Sequence, residues 1–438
     1  MVPAFFDQTL MDDWIQPCGE EQHPLGNQGF FAAYPDSEEK IAALLGSAHR
    51  QRRSVIPEGG GTKRGFGGTV EKADCLLSLS RYKGIVDYAQ GDMTITVKAG
   101  TTVGEIGRFL QPYRQMLPLD PAWPELATIG GVIAANDSGP KRCRYGSARD
   151  AVIGLRVVYP DGRIIRTGGK VVKNVAGYDM NKLFVGSMGT LGVISEVTLK
   201  LRPLPQYQSL ILLSFPDHDL QKIHDFVVAL QDSANEPVTL ELLNPALFAR
   251  LQPGKEGYAL AVCFEDVEKA VHYQEEWVIR HQPKGSALNI LPSREAARWW
   301  EAFSRVFPHG ARPAEEIGPE MVLKVSSRNM DVLSVLAACQ RLGEELELEV
   351  QCHGGAGHGI SRCLVNGETS RYPAFVHELR KWVSAKAGHV IIQHAPLPIR
   401  REIGVWGEKP AYFPLLEGIK RAIDPHRVLN AKRFVGGI

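Results

Sequence analysis

The hydrophobic pattern divides the chain into two rhythms. Up to about residue 205, short apolar runs are cut repeatedly by glycine. Asp36-Ser-Glu-Glu39 reads as a capping box, and Ile41, Leu44 and Leu45 behind it form a helical stripe. Arg53 to Ile56, Cys75 to Leu79, Ile85 to Tyr88 and Thr94 to Lys98 read as short strands. Thr102 to Leu110 reads as a helix. Ala151 to Tyr159 and Arg163 to Arg166, joined by Asp161-Gly162, read as a hairpin, and Gly192 to Leu201 as a long strand. Pro203, Leu204 and Pro205 mark a boundary.

Beyond that boundary the elements are longer. Tyr207 to Phe215 is a strand, and Leu220, Ile223, Val227 and Leu230 share a helical face. Val238 to Leu243 and Tyr258 to Phe264 are strands, and Val267 to Ile279 is a helix. The rhythm then repeats. Strand Met321 to Ser326 precedes a helix carrying Val332, Val335, Leu336 and Cys339. Strands Leu346 to His353 and Ile360 to Val365, helix Phe375 to Lys386 and strand His389 to Gln393 follow. Two such β-α-β-like blocks predict an α+β, ferredoxin-like or related antiparallel sheet with helices on one face. A last helix, Tyr412 to Ile423, and the turn at Asp424-Pro425 are expected to fold back on the first domain. The predicted division is an N-terminal segment 1–34, a ligand-cradling domain 35–205, an α+β cap 206–395 and a returning segment 396–438.

Composition narrows the function. The 438 residues carry a formal net charge of +1, so there is no global field for gripping nucleic acid or an anionic membrane. At 44% hydrophobic and 23% charged, the chain has the makings of an ordinary core, which excludes long disorder, collagen and coiled coils. No apolar run approaches the ~20 residues that span a bilayer. Met1 to Trp14 has no basic stretch and carries Asp7, Asp12 and Asp13, unlike a secretory signal. A cytoplasmic location is expected, with any contact at the inner face of the membrane made through partners. The seven cysteines are scattered and contain no C-x-x-C pair, against a disulfide scaffold, a zinc ribbon or an iron–sulfur cluster. Each is expected to be a small buried apolar thiol. Of the 44 glycines, 27 precede Leu204, so close backbone approach to a ligand belongs to the first half.

Three glycine-rich segments carry that chemistry. Pro57-Glu-Gly-Gly-Gly-Thr62 follows a strand, and its successive N–H groups can converge on a phosphate, with Lys63 and Arg64 adding charge. It is neither a P-loop nor a Rossmann fingerprint, and a flexible loop is the competing explanation. Thr128-Ile-Gly-Gly131, Ala134-Ala-Asn-Asp-Ser-Gly139 and Arg144-Tyr-Gly146 are dominated by small residues that let backbone approach a flat ring. The alternative is a tightly packed helix start followed by a turn. The third is Lys173-Asn-Val-Ala-Gly-Tyr-Asp179 with Leu183-Phe-Val-Gly-Ser-Met-Gly-Thr-Leu-Gly-Val-Ile194. In the second half, Cys352-His-Gly-Gly-Ala-Gly-His-Gly359 puts His353 and His358 five apart in a turn, and His394 ends a strand. These histidines suit a metal, a catalytic base or simple turn hydrogen bonds. Arg400 and Arg401 read as a solvated turn, with a substrate carboxylate as the alternative partner.

The ordered set of glycine segments resembles the flavoproteins with a PCMH-type (vanillyl-alcohol-oxidase-type) FAD-binding domain, over about residues 35 to 205. Lys173 to Asp179 and the tail Val405-Trp-Gly407, Asp424-Pro, Asn430 and Arg433-Phe434 are similar to the 2-hydroxy-acid dehydrogenase branch, and most to the FAD-binding subunit of bacterial glycolate oxidase. The resemblance implies FAD held in an extended form between two α+β lobes, with a ferredoxin-like cap above. It assigns cofactor contacts to Pro57, Glu58, Gly59, Gly60, Gly61 and Thr62, and to Thr128, Ile129, Gly130, Gly131, Ala135, Asn136 and Gly139. It adds Arg144, Tyr145 and Gly146, and at the adenine end Gly189, Val193 and Ile194. Some relatives carry a flavin-linked His at the fifth loop position; Gly61 stands there, which implies non-covalent FAD.

In active relatives, His-x-Gly-Asp-Gly-Asn-x-His and a later Glu-His-Gly bind a divalent metal. Here His353 and His394 are kept, but Ala356, His358, Ile360, Gln393 and Ala395 replace the other matched positions. Two of three ligands are gone, including the carboxylate, so no metal is expected. The catalytic candidates are His353, His358 and His394. The resemblance implies as partners a related flavoprotein subunit, an iron–sulfur subunit and a small 2-hydroxy acid, with neither nucleic acid nor a membrane span. Three functions remain open: a subunit whose flavin accepts or relays electrons, a self-sufficient FAD-dependent D-2-hydroxy-acid dehydrogenase, and an assembly subunit with structural FAD.

Overall fold

A computed structural model describes residues 13–19, 21–170 and 178–438. Phe5 and Phe6 of the N-terminal segment, and residues 173–177 of the third motif, lie outside the described residues.

Two larger sheets and a two-residue pairing of Gln115–Met116 with Arg202–Pro203 build the first domain. The first contains β1 (Ile15–Pro17), β2 (Gln28–Ala33), β3 (Val55–Glu58) and β4 (Lys72–Ser78), in the order β1-β2-β4-β3. β2 and β3 both run parallel to β4. This sheet therefore begins before residue 35, where the sequence put the domain start. Helix α1 (Glu38–Gln51) crosses between β2 and β3 and buries Ile41, Leu44 and Leu45. Its cap is Ser37, whose side chain accepts from the Lys40 N–H; Asp36 instead pairs with Lys40. The second sheet is antiparallel, β5 (Ile85–Ala89), β6 (Thr94–Lys98), β7 (Val152–Val158), β8 (Ile164–Gly168) and β9 (Val193–Lys200), ordered β5-β6-β9-β7-β8. Helix α2 (Val103–Leu110) starts in a capping box between Thr102 and Glu105, and α3 (Ile129–Ala135) lies against β9.

The cap is one eight-stranded sheet, every pairing antiparallel. Its strands are β10 (Tyr207–Phe215), β11 (Thr239–Leu243), β12 (Tyr258–Asp266), β13 (Ala287–Pro292), β14 (Met321–Ser326), β15 (Glu349–Gly355), β16 (Ile360–Asn366) and β17 (His389–His394), in the order β13-β10-β12-β11-β15-β16-β14-β17. Side chains alternate between its faces. Leu240, Leu242, Val262, Leu323 and Val350 face a core capped by α4 (Leu220–Gln231), α5 (Glu268–His281), α7 (Val332–Glu345) and α8 (Tyr372–Ser384). Leu210, Leu212, Leu243, Ala261 and Val322 pack on the other face with Trp299 and Phe303 of α6 (Ser293–Ser304). All seven cysteines are free thiols, and Cys339, Cys352 and Cys363 sit together on the helix-covered face.

The C-terminal residues pack on the first domain. Val55 N–H donates to Val428 C=O and Asn430 N–H to Val55 C=O, while Asn430 Nδ2 reaches Met188 C=O. Buried Lys420 of α9 (Phe413–Ile423) donates to Asp424 and to the carbonyls of Thr190 and Leu429. Arg400 corrects the expectation of a solvated turn. It is fully buried and donates to the carbonyls of Leu25, Gly67, Gly68 and Ala395, tying the first domain to the end of β17.

Candidate functional site

A cleft runs along the first domain from β3 to the C-terminal end of α3. It is lined by Pro57 to Arg64, Thr128, Gly131, Ala134, Ala135, Asp137, Met188, Asn430 and Arg433. Pro57 and Glu58 belong to β3, and the loop proper begins at Gly59. Its glycines are obligatory. A Cβ on Gly59 would lie 2.0 Å from Thr128 Oγ1, and one on Gly60 would lie 1.8 Å from the Leu126 carbonyl oxygen. Gly61 adopts φ +70°. The N–H groups of Gly60, Gly61 and Thr62 have no acceptor among the described residues, and Thr128 Oγ1 and Asn136 Oδ1 are buried without partners. Donors and small residues concentrated in one groove fit the diphosphate and sugar-like chain of FAD. The charge is more committed than the sequence suggested. Arg64 makes a bidentate pair with Glu58, and Lys63 pairs with Asp137 at 2.7 Å.

Not every sequence candidate lines this cleft. Gly139 lines the adjoining cavity instead. Ile129, Val193 and Ile194 are core side chains, and Gly130 packs against Ala99. Gly189, at φ +69°, lies beside Pro57 and Asn430. Arg144 and Tyr145 depart from expectation: cap carboxylates take both side chains, Arg144 pairing with Glu236 and Tyr145 Oη donating to Glu265 at 2.8 Å. Gly146 follows them at φ +79°.

The cleft continues into a cavity of about 300 Å³ under the cap, sharing Thr62, Lys63 and Asp137 with it. Trp123, Trp300, Phe303 and Phe307 form apolar walls. Trp123 Nε1 donates to Phe307 C=O at 2.8 Å, and its ring lies 4.3 Å from that of His309, so the cap closes on the first domain there. The cap sheet contributes the polar groups His353, Arg362, Gln393 and His394, and the first domain contributes Lys63, Asp120, Asp137 and Lys141.

His353 stands opposite Arg362, and Arg362 opposite Lys324, across three neighbouring strands. Glu241, on β11 and only 1% exposed, joins this face. Its Oε2 lies 2.7 Å from His353 Nδ1 and its Oε1 lies 3.2 Å from His358 Nε2. The matched carboxylate position is Gln393, and the fold brings a carboxylate to this face from a different strand. Burial opposes ionisation of Glu241, but His353 and His358 prevail and hold it at about 2. As an acceptor, the carboxylate fixes a proton on His353 Nδ1 and leaves Nε2 as the basic nitrogen. His358 Nδ1 accepts from the Ile360 N–H, so that ring is spent within the turn. Burial pushes His353 down, opposed by Glu241, and drives His394 to about 3, helped by Arg312 and Arg400. Glu241, Asp137 and Arg362 escaped the sequence reading. The only local signal of Glu241 and Arg362 was a charged residue beside an apolar run, and Asp137 lay inside the Ala134 to Gly139 segment that was read for its small residues.

A pH dependence follows. His394, neutral in the fold down to about 3, takes up a proton near 6.5 once unfolded, so its contribution favours unfolding progressively as pH falls below 6.5. Glu241 adds a stabilisation present above 4.5 that is lost as pH falls through about 2. Melting temperature should therefore decline steadily from pH 6.5 downwards; a flat profile between 6.5 and 4.5 would show that His394 is not held neutral.

Comparison with known proteins matches this geometry. The family described as an FAD binding domain matches residues 31–168. The chain is 35% identical to the glycolate oxidase subunit GlcD of Bacillus subtilis, over 90% of this chain and 87% of that one. It is 34% identical to the mitochondrial D-lactate dehydrogenase [cytochrome] of Arabidopsis thaliana, over 92% of this chain and 72% of the relative. The glycolate oxidase subunit GlcE of Escherichia coli is 36% identical over 39% of this chain and 49% of its own. In fold, the chain is similar to p-cresol methylhydroxylase, with a TM-score of 0.75 at 16% identity over 95% of this chain and 90% of that one. The chain therefore belongs to the FAD-dependent 2-hydroxy-acid oxidoreductases built on the PCMH-type fold.

Proposed function

We propose that the chain is the FAD-binding subunit of a glycolate or D-2-hydroxy-acid oxidising complex, and that its own flavin accepts electrons from the acid. The observation that carries this is the continuity of the glycine cleft with a buried cavity holding a carboxylate-oriented histidine. FAD, when bound, supplies the acceptor for the hydride on the substrate's Cα. The protein supplies the rest. His353 Nε2 takes the hydroxyl proton, Glu241 holds the tautomer that leaves that nitrogen free, burial keeps the ring neutral, and the Trp123, Trp300 and Phe303 walls exclude water. His394, held neutral by burial, lines the same cavity. Membership of a multi-subunit complex is supported by the GlcD and GlcE relatives, both named as subunits of glycolate oxidase, and a related flavoprotein and an iron–sulfur subunit are the partners proposed. Among the described residues no helix is long and apolar enough to cross a membrane.

The match to the D-lactate dehydrogenase [cytochrome] of Arabidopsis thaliana over 92% of the chain favours one second reading, a self-sufficient dehydrogenase. Anaerobic titration separates the two. The purified chain should be yellow, release its FAD on heat denaturation, and bleach with glycolate or D-lactate only after its partner subunits are added. Bleaching of the chain alone would select the second reading. A flavin that no 2-hydroxy acid reduces in either form would overturn both and leave a relay or structural cofactor.

A further inference from the structure

We propose that Arg362 is the residue that grips the substrate carboxylate, and that Gln393 keeps its charge available for that purpose. The proposal rests on the functional reading above.

The geometry is specific. Arg362 Nε donates to Gln393 Oε1 at 3.1 Å, and its Nη2 donates to Asp137 Oδ1 and Ser138 C=O, both at 2.8 Å. These three bonds fix the plane of the guanidinium. Nη1 donates to nothing among the described residues, and the side chain lines the cavity.

The charges point the same way. Lys63, Lys324 and Arg362 surround one carboxylate, Asp137. Arg142 adds to the positive field felt by Lys324. The other acidic groups nearby are engaged elsewhere: Glu265 with Lys141, Glu320 with Arg312, and Glu241 with its two histidines. Asp120 accepts the N–H groups of Gly139 and Lys141, and burial raises it to about 6. His309 and His394 face the same space with depressed basicity. The cationic excess therefore sits at one end of a cavity whose other walls are aromatic, and an anion entering it is drawn to that end. Gln393 is neutral. A glutamate there would close an ion pair with Nε and cancel the charge.

The match to a 2-hydroxy acid is one of spacing. Arg362 and His353 face each other directly on neighbouring strands, at the ~5 Å separation of a cross-strand pair. Both side chains line the same cavity, so one small molecule carrying a carboxylate and a hydroxyl on adjacent carbons is placed to engage both.

The test uses the FAD-loaded complex and oxalate, a carboxylate that cannot be oxidised, with binding followed by calorimetry and by the flavin difference spectrum. Arg362→Met should weaken oxalate about 10- to 100-fold, as expected for loss of one charge-assisted contact. Gln393→Glu should weaken it by a similar factor at full FAD content, while Arg362→Lys recovers part of the affinity. This second variant decides the matter if Arg362→Met loses flavin. Unchanged oxalate affinity in the variants overturns the proposal, as does oxalate binding that disappears on metal chelation. If oxalate binding depends on Arg362 but no hydroxy acid reduces the wild-type flavin, the anion site stands and the oxidation reading falls.

Discussion

Gly60→Asp should yield a colourless chain. A Cβ at this position would lie 1.8 Å from the Leu126 carbonyl oxygen and 2.9 Å from its carbon, both backbone atoms that cannot rotate aside. The loop must then move away from Thr128, dispersing the N–H groups that line the groove. An added carboxylate would also repel a diphosphate in a groove where Lys63 and Arg64 are already neutralised by Asp137 and Glu58. Flavin absorbance per chain should fall by at least tenfold, with far-ultraviolet circular dichroism unchanged. Gly61→Ala is the milder control, since only Glu58 and Ala311 side chains come near its added methyl group, and its cost is confined to the φ of +70°. A yellow Gly60→Asp protein with stoichiometric flavin would remove the cofactor assignment on which the proposed chemistry depends.

Lys420→Met should cost about 3–5 kcal/mol, the range for breaking a fully buried ion pair from one side. Lys420 and Asp424 are 1% and 0% exposed and 2.7 Å apart. Removing the ammonium strands the Asp424 carboxylate with only the Val428 and Leu429 N–H groups for company, and leaves the carbonyls of Thr190 and Leu429 without a donor. The damage reaches the cofactor groove, because Leu429 pairs with Val55 and Asn430 holds Met188. Thermal release of flavin should move to lower temperature than in wild type. Double substitution of Lys420 by Met and Asp424 by Leu should recover much of the loss, since no lone charge is then left inside. A melting temperature within a degree of wild type for the single variant would exclude this role for the pair.

Periodic elements were legible in the sequence where one face is buried. Thr94 to Lys98, Tyr207 to Phe215 and Met321 to Ser326 have the predicted bounds, because alternation or a continuous apolar run is visible over the whole strand. Gln28–Ala33 escaped: its burial does not alternate, and its place in the first sheet depends on a parallel partner more than forty residues away. β13 escaped as a partly exposed edge strand. At the site, the glycine loop was legible because conformational need is a local property. Glu241, His353 and Arg362 were not legible as a group, since their meeting is set by the register of three strands, and a shift of one residue would send each to the opposite face. Arg144 and Tyr145 show the converse. Their motif is local, but the partners that claim them lie in the cap.

The cavity draws its two kinds of surface from different parts of the fold. Proton handling and anion binding are mounted on β11, β15, β16 and β17, where backbone ladders hold every side chain. The aromatic wall comes from α6, residues 306–309 and Trp123 of the first domain, outside those ladders. Changes in the size or shape of that wall can therefore alter which acids fit while the reacting groups stay in place. Variation among descendants of this scaffold is free to retune selectivity in one layer without renegotiating the chemistry of the other.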